Sequence, residues 1–282
     1  MKVKEIIVGI DFSKGAMNAL NYSILLANNI GANITMVWVD KPGSSDSIFD
    51  NSSGVYRKEV HRRFDEIVKK YSKDMKKGEL MYKIRSGKVY KEISNQAKYN
   101  DAQFIVSGTH GISGFEELWI GSNANRIVSA SPCPVITVRQ GYVVKKKISK
   151  IILPIDSTLE TRQKAPYAAD IAKAFGAEIL ILGLAVSSVS TIKKRVESYS
   201  KQMADYFTKL GIKNTYIEVQ SANVTSDTLK IAEEQNADLI CIMTEQETSA
   251  ANIFLGPFAQ QMVNHSPIPV LSVHPKNFYI TK

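Results

Sequence analysis

The chain states one pattern twice, and this repeat constrains its fold more than any other feature. Residues 4–13 read Lys-Glu-Ile-Ile-Val-Gly-Ile-Asp-Phe-Ser, and residues 149–158 read Ser-Lys-Ile-Ile-Leu-Pro-Ile-Asp-Ser-Thr. That offset of 145 sets Asp11 on Asp156. It also sets Leu-Ala-Asn-Asn-Ile-Gly-Ala-Asn-Ile (26–34) on Ile-Ala-Lys-Ala-Phe-Gly-Ala-Glu-Ile (171–179), with Gly31 on Gly176. Further along, the offset is 135. It runs without a gap from Asp101-Ala102 on Asn236-Ala237 to Ser-Pro-Cys-Pro-Val (131–135) on Ser-Pro-Ile-Pro-Val (266–270). The first copy therefore holds about ten extra residues (145 − 135), and the polar stretch Lys41–Ser53 accommodates them. A repeat of this length is a whole domain, not a solenoid unit. With 282 residues the expectation is two domains, 1–142 and 148–282, joined by a linker within 141–150.

Each copy alternates strand and helix signals. In the first, the apolar run Ile6–Ile10 predicts a strand covered on both faces. Ala16–Asn29 has helical spacing and ends at Gly31 as a C-cap. Ile34–Val39 predicts a second strand. Residues 56–77 predict an amphipathic helix stopped by Gly78, with Val60, Phe64, Ile67, Val68, Tyr71 and Met75 on one face and Lys/Arg on the other. Strands at Met81–Arg85, Phe104–Ser107 and Val135–Val138 alternate with helices at Val89–Tyr99 and Asn123–Ala130. Such alternation predicts an α/β fold: two tandem doubly wound domains, each a five-stranded, mostly parallel sheet flanked by helices. Ligands of such sheets bind beyond the carboxyl ends of the strands.

Composition excludes several classes. The net charge is 36 − 27 = +9, but residues 1–150 carry 24 − 14 = +10 and residues 151–282 carry 12 − 13 = −1. The longest apolar stretch, Ile179–Val186, falls far short of the ~20 residues that cross a bilayer. The N-terminus lacks the cleavage pattern of a secretory signal. Cys133 and Cys241 are far apart with no CxxC, which argues against a disulfide framework or a cysteine zinc site and for a reducing cytoplasm. The basic runs lack the aromatic interleaving of an RNA-binding surface, so neither nucleic acid nor membrane is an expected partner.

The segment that carries chemistry runs from Val106 to Asn125: Val-Ser-Gly-Thr-His-Gly-Ile-Ser-Gly-Phe-Glu-Glu-Leu-Trp-Ile-Gly-Ser-Asn-Ala-Asn. A glycine at a strand end lets backbone approach a ligand without an intervening Cβ. A Gly-Ser step entering a helix offers free N–H groups and a hydroxyl to an anion. Together, Gly108, Gly111, Gly121 and Ser122 suit a polyphosphate. The segment is not a Walker A loop, since no Gly-Lys-Ser/Thr follows, and its glycines do not match GxGxxG. His110 has no partner histidine at ligand-like spacing, and no base or metal cluster accompanies Asp11 or Ser122, so neither a catalytic nor a metal site is assigned. Cys133, between two prolines, reads as a small buried hydrophobe. Asp11 and Ser13 both suit a helix N-cap as well as a ligand role, and Asp156, without a glycine loop, reads as a cap.

Gly-x2-Gly-x9-Gly-Ser after Asp-Ala-x-Phe-Ile-Val and before Ser-Pro-Cys-Pro-Val, together with Gly-Ile-Asp-Phe-Ser on the first strand, resembles the universal stress protein family over nearly the whole chain. The resemblance implies an adenine nucleotide alpha-hydrolase-like fold and ATP, alone or with Mg2+, as ligand. It implies that Gly9, Ile10 and Asp11 lie at the adenine-ribose end. It places a backbone contact to the base at Val39. Ser107, Gly108, Gly111, Gly121, Ser122 and Asn123 would hold ribose and phosphates. Ala124 stands where ATP binders of the family often carry Ser or Thr. The second copy departs further: Met243 replaces Gly108, Gln246 replaces Gly111 and Pro257 replaces Ser122, while Asp156 and Gly256 remain. The expectation is one nucleotide site, in the first domain, of a cytoplasmic stress-response protein in which any hydrolysis is slow and incidental. The competing reading is a dimerising interaction scaffold without nucleotide. An ATP pyrophosphatase ranks last, because Asp11–Gly15 lacks the Ser-Gly-Gly-x-Asp-Ser phosphate loop. The resemblance also implies that the last strands, Val135–Val138 and Val270–Val273, pair within one chain as a pseudo-dimer, to which a second chain can add as a homodimer.

Overall fold

The computed structural model describes residues 4–40, 52–109, 122–244, 246–249 and 252–275. The first copy runs β1 (Lys4–Gly9), α1 (Lys14–Ile30), β2 (Ala32–Asp40), α2 (Ser52–Tyr71), β3 (Leu80–Ser86), α3 (Val89–Asn100), β4 (Phe104–Gly108), α4 (Ser122–Ala130) and β5 (Val135–Val138). The second runs β6 (Lys150–Ile155), α5 (Ala165–Phe175), β7 (Glu178–Ala185), α6 (Ser190–Lys209), β8 (Asn214–Gln220), α7 (Val224–Glu234), β9 (Leu239–Met243), β10 (Gln246–Ser249), β11 (Asn252–Leu255), α8 (Pro257–His265) and β12 (Val270–Val273).

The repeat is written into the backbone as well as the sequence. Gly31 and Gly176 end α1 and α5 at φ +70° and +64°. Asp101 and Asn236 follow α3 and α7 at φ +51° and +52°. The paired Ser-Pro-x-Pro motifs close the same turn. Ser131 Oγ donates to the Cys133 carbonyl and accepts from its N–H, and Ser266 does the same with Ile268. A proline offers no N–H, so the serine hydroxyl supplies the turn that leads into β5 and β12.

Within each copy the five strands of the main sheet are parallel, as βαβ connections require. The strand order is β3-β2-β1-β4-β5-β12-β9-β6-β7-β8, one ten-stranded sheet. The junction is antiparallel: β12 lies on β5, with Leu271 opposite Ile136 and Ser272 opposite Val135. One face of this sheet carries a core shared by both copies. Ala19, Leu20 and Phe64 from the first join Ala168, Ile171 and Phe207 from the second, with Ile136 and Leu271 at the seam. The other face carries two cores, one under α3 and α4 and one under α7 and α8. Among the described residues no helix is long and apolar enough to cross a membrane.

The linker is held from both sides. Asn18 on α1 donates its Nδ2 to the carbonyls of Arg139 and Tyr142, each at 2.8 Å. The buried Asp238 accepts from Lys145 Nζ at 2.5 Å and from the N–H groups of Ser149 and Lys150 at 2.6 and 3.1 Å. Lys145 of the basic linker is thus an anchor as well as a solvated charge.

The helix expected over 56–77 ends early. α2 stops at Tyr71 and a 3-10 turn covers Ser72–Asp74. Asn28 of α1 causes the departure: it donates to the Asp74 carbonyl at 2.8 Å and accepts from Lys76 N at 2.6 Å, drawing the chain off the helix. Gly78 follows at φ +76°, where a Cβ would overlap the Ala32 carbonyl. The apolar face Val60, Phe64, Ile67, Val68, Tyr71 and Met75 still packs on the shared core.

The shared core predicts joint unfolding. Leu271→Ala, at the seam, should cost about 2–5 kcal/mol and lower one common transition. Calorimetry or denaturant melts resolving two separate transitions would contradict this.

Candidate functional site

In each copy the first strand is flanked on one side by the second and on the other by the fourth, so the strand order reverses there and opens a crevice at the carboxyl ends. In the first copy that crevice lies beyond Gly9 of β1 and Gly108 of β4, with β2 alongside.

The β1 ladder stops three residues short of the end of β2. The last ladder pair is Gly9 with Val37, and Ile10 N–H donates to the Val37 carbonyl at 2.9 Å. Backbone polar groups alternate sides along a strand. Val37 points toward β1 and Asp40, whose carbonyl takes Gly87 N–H at 2.9 Å, points toward β3. Val39 therefore points its N–H and C=O past the end of β1, into the crevice. Its side chain packs on the opposite core with α3.

Asp11 and Ser13 divide the capping work that the sequence left open. Ser13 Oγ accepts Ala16 N–H at 3.1 Å and is the N-cap of α1. Asp11 Oδ1 accepts Ser13 N–H at 3.0 Å. Phe12 between them sits at φ +64°, so the chain turns sharply here. Its ring rests on Phe64 at 5.1 Å, under the Arg63 guanidinium at 5.4 Å. This anchorage holds a left-handed residue that bulky side chains rarely adopt. Among the described residues Asp11 Oδ2 takes no hydrogen bond, which leaves one carboxylate oxygen for a ligand.

The β4 end shows why Gly108 is a glycine. A Cβ there would lie 2.7 Å from the Gly15 carbonyl carbon and 2.8 Å from its oxygen. The space the glycine clears is filled by the first turn of α1, so its first duty is helix-on-strand approach. Gly9 is less constrained, because a Cβ there would meet only the end of a side chain, Ile93 Cδ1, at 2.9 Å. Ser107 is buried beside it, and Thr109 N–H donates to the Val138 carbonyl at 3.1 Å. Of the remaining candidates, Asn123 is exposed in the first turn of α4 and Ala124 is buried beneath it. Gly111 and Gly121 lie outside the described residues, as does His110. Ser122 opens α4. Burial raises the Cys133 thiol to about 11, so it stays protonated at neutral pH.

The second copy fills the same region with its own side chain. Asp156 Oδ1 accepts from Thr158 N and Oγ1 at 2.7 and 2.5 Å. It caps this turn rather than α5, which begins later, at Ala165. The intervening residues form a 3-10 turn, Glu160–Arg162. Lys164, wholly buried below it, donates Nζ to the Thr161 carbonyl and to Thr161 Oγ1. Thr161 Oγ1 in turn accepts Asp156 N–H at 3.1 Å. Burial drives the Lys164 ammonium from the ordinary 10.5 down to about 8, with Asp156 opposing the shift. Nothing in the sequence signals this lysine: the aligned residue of the first copy is the buried Ala19 of α1.

The model of the universal stress protein family matches this chain twice, over residues 2–139 and 147–274. The chain belongs to the universal stress protein family. Universal stress protein Rv2319c of Mycobacterium tuberculosis is 22% identical over 186 residues, 61% of this chain and 64% of its own length. The match thus spans less than two thirds of that relative. Universal stress protein YxiE of Bacillus subtilis is 27% identical over 147 residues, 48% of this chain and 98% of its own length. A universal stress protein from Archaeoglobus fulgidus shares the fold at TM-score 0.76 and 19% identity, covering 97% of this chain and 99% of that one. That likeness in fold extends over both copies of the repeat.

Two substitutions check the site's construction. Gly108→Ala should lower the stability of the ligand-free chain by about 1–3 kcal/mol, measured by thermal melting; an unshifted melt would put the glycine back at the ligand. Lys164 holds fewer protons folded than unfolded between pH 8 and 10.5, so its charging cost, about 3 kcal/mol, is present at pH 7 and is relieved as pH rises through that window. Denaturant melts of the wild type and Lys164→Met should therefore differ in pH dependence across pH 7.5–10.5. The wild type should gain on the variant, and parallel curves would refute the assignment.

Proposed function

We propose that the chain binds ATP in its N-terminal domain and acts as a stress-response regulator, with binding rather than turnover as the signal. The observation that carries this reading is Val39, whose backbone N–H and C=O project beyond the end of β1 beside Asp11. A donor and an acceptor fixed at one strand position suit the hydrogen-bonding edge of a purine, and the neighbouring carboxylate suits a ribose hydroxyl. At the other end of the crevice, α4 opens with Ser122 and Asn123, and its N-terminal N–H groups suit phosphate. ATP enters this site alone or with Mg2+. The positive charge of the first half favours approach of an anion.

The second domain has a different part. Beyond its first strand a turn closes over the buried Lys164, and Pro257 at the first position of α8 offers no N–H. This observation favours the competing reading, a scaffold without nucleotide, for that half of the chain.

Equilibrium titration of the full chain with ATP decides between the two. Saturable binding is expected, together with a rise in melting temperature that grows with ligand concentration. No binding at millimolar ATP would overturn the reading. Gly121→Val should abolish binding while the chain remains folded.

A further inference from the structure

On one face of the sheet the two domains share a core. On the other face they do not, and there the second domain reaches across by a separate route. The segment aligned with the first domain's glycine-rich loop folds as a hairpin, in which β10 pairs antiparallel with β11, Gln246 opposite Leu255 and Thr248 opposite Ile253. β11 lies against α4 of the first domain. Leu255 at its end packs against both second-face cores: the one of its own domain, which includes Met262 and Val263, and the one of the first domain, which includes Ile127 and Val128 of α4.

A second contact reaches the same helix. His274 follows β12, with Nδ1 at 2.6 Å from Thr244 Oγ1 and the ring beside the Val128 backbone of α4. Arg139, the aligned residue after β5, extends to the His265 carbonyl at the end of α8 at 3.5 Å. Each last strand thus sends a side chain to the closing turn of the other domain's last helix, but α4 is also gripped by the hairpin.

We propose that the second domain sets the ATP affinity of the first, its degenerate loop serving as a strap that holds α4 in place. The proposal rests on the ATP reading of the first domain. α4 presents its N-terminus to the phosphates and its far end to Leu255 and His274. Phosphate binding at a helix N-terminus requires the helix to be fixed relative to the strand ends, and a helix already braced loses less freedom when the ligand arrives. Coupling is reciprocal: a strap that favours the bound position of α4 is itself held more firmly when ATP is present. Loss of the phosphate-binding glycines in the second copy is what permits this, because residues 246–249 and 252–255 are then free to pair as strands. The second copy has exchanged a ligand site for a support of its partner's site.

The test uses the full chain, ATP titration calorimetry and amide exchange read by mass spectrometry. Leu255→Ala should weaken ATP binding about five-fold or more, and His274→Ala should weaken it in the same direction. Leu159→Ala truncates an exposed apolar side chain of the same domain and should leave affinity unchanged. In wild type, ATP should slow exchange within 246–249 and 252–255. Without ATP, Leu255→Ala should speed exchange in α4 relative to wild type. Equal ATP affinity in both strap variants overturns the proposal, as does α4 exchange that ignores Leu255→Ala. If the wild type binds no ATP, the nucleotide reading fails, and the strap is judged on the ligand-free exchange alone. Should Leu255→Ala not fold, His274→Ala carries the same readouts.

Discussion

The antiparallel contact of β5 with β12 is the constraint on which the rest of the molecule depends. Each copy ends its sheet on a short, fully buried, apolar strand: Val-Ile-Thr-Val in one and Val-Leu-Ser-Val in the other. Left alone, either strand would expose a row of unpaired N–H and C=O groups on a flat hydrophobic edge, a template for aggregation. Setting one edge on the other satisfies both. It also makes the core of one face continuous across the chain and brings α4 and α8 near the seam. The linker clasps, Asn18 on one side and Asp238 on the other, keep the connecting segment in register with that junction.

Once the two domains are joined in this way, they need not remain equivalent. The first keeps a crevice lined by backbone: Val39 pointing past β1, Asp11 at a sharp turn, and the N-terminus of α4. Beyond β6 the second folds a 3-10 turn over Lys164, a buried ammonium that donates to Thr161 and is pushed down by lack of solvent. A buried charge that bonds only to its neighbours is a poor stabiliser. The segment aligned with the first copy's glycine-rich loop forms a hairpin against the first domain. The asymmetry of charge, +10 against −1, follows the same division, though Arg62 and Arg63 of α2 spend much of theirs on Glu59 and Glu66.

Much of the fold was legible because it depends on local periodicity. The strand β5 lies where its apolar run placed it, and Gly31 caps α1 in the left-handed conformation that glycine adopts without strain. α2 shows the limit: its apolar face was readable, but its end was not, because Asn28 acts from forty-six residues away. The site was legible in composition and less so in mechanism. Gly108 stood out as a glycine at a strand end, yet the atom it avoids belongs to Gly15 of α1. Asp11 and Ser13 stood out as caps, but which one caps the helix depends on the turn at Phe12. Lys164, Leu255 and His274 carried no signal, since none forms a motif and each acquires its role from a partner on another element.

The sequence by itself determined that there are two α/β domains of one family, that they are parallel doubly wound sheets, and that the glycine-rich segment survives in the first alone. These follow from repeat, period and residue type, which are properties of neighbours along the chain. The resemblance already implied that the last strands pair and that Val39 offers its backbone; the tertiary structure alone decided the register of that antiparallel junction, the clasp of Asn18 on the linker, and that the second domain's altered loop rests on α4. These depend on which surfaces meet across the fold, where a hydrogen bond or a packed side chain takes its meaning from residues a hundred or more positions away.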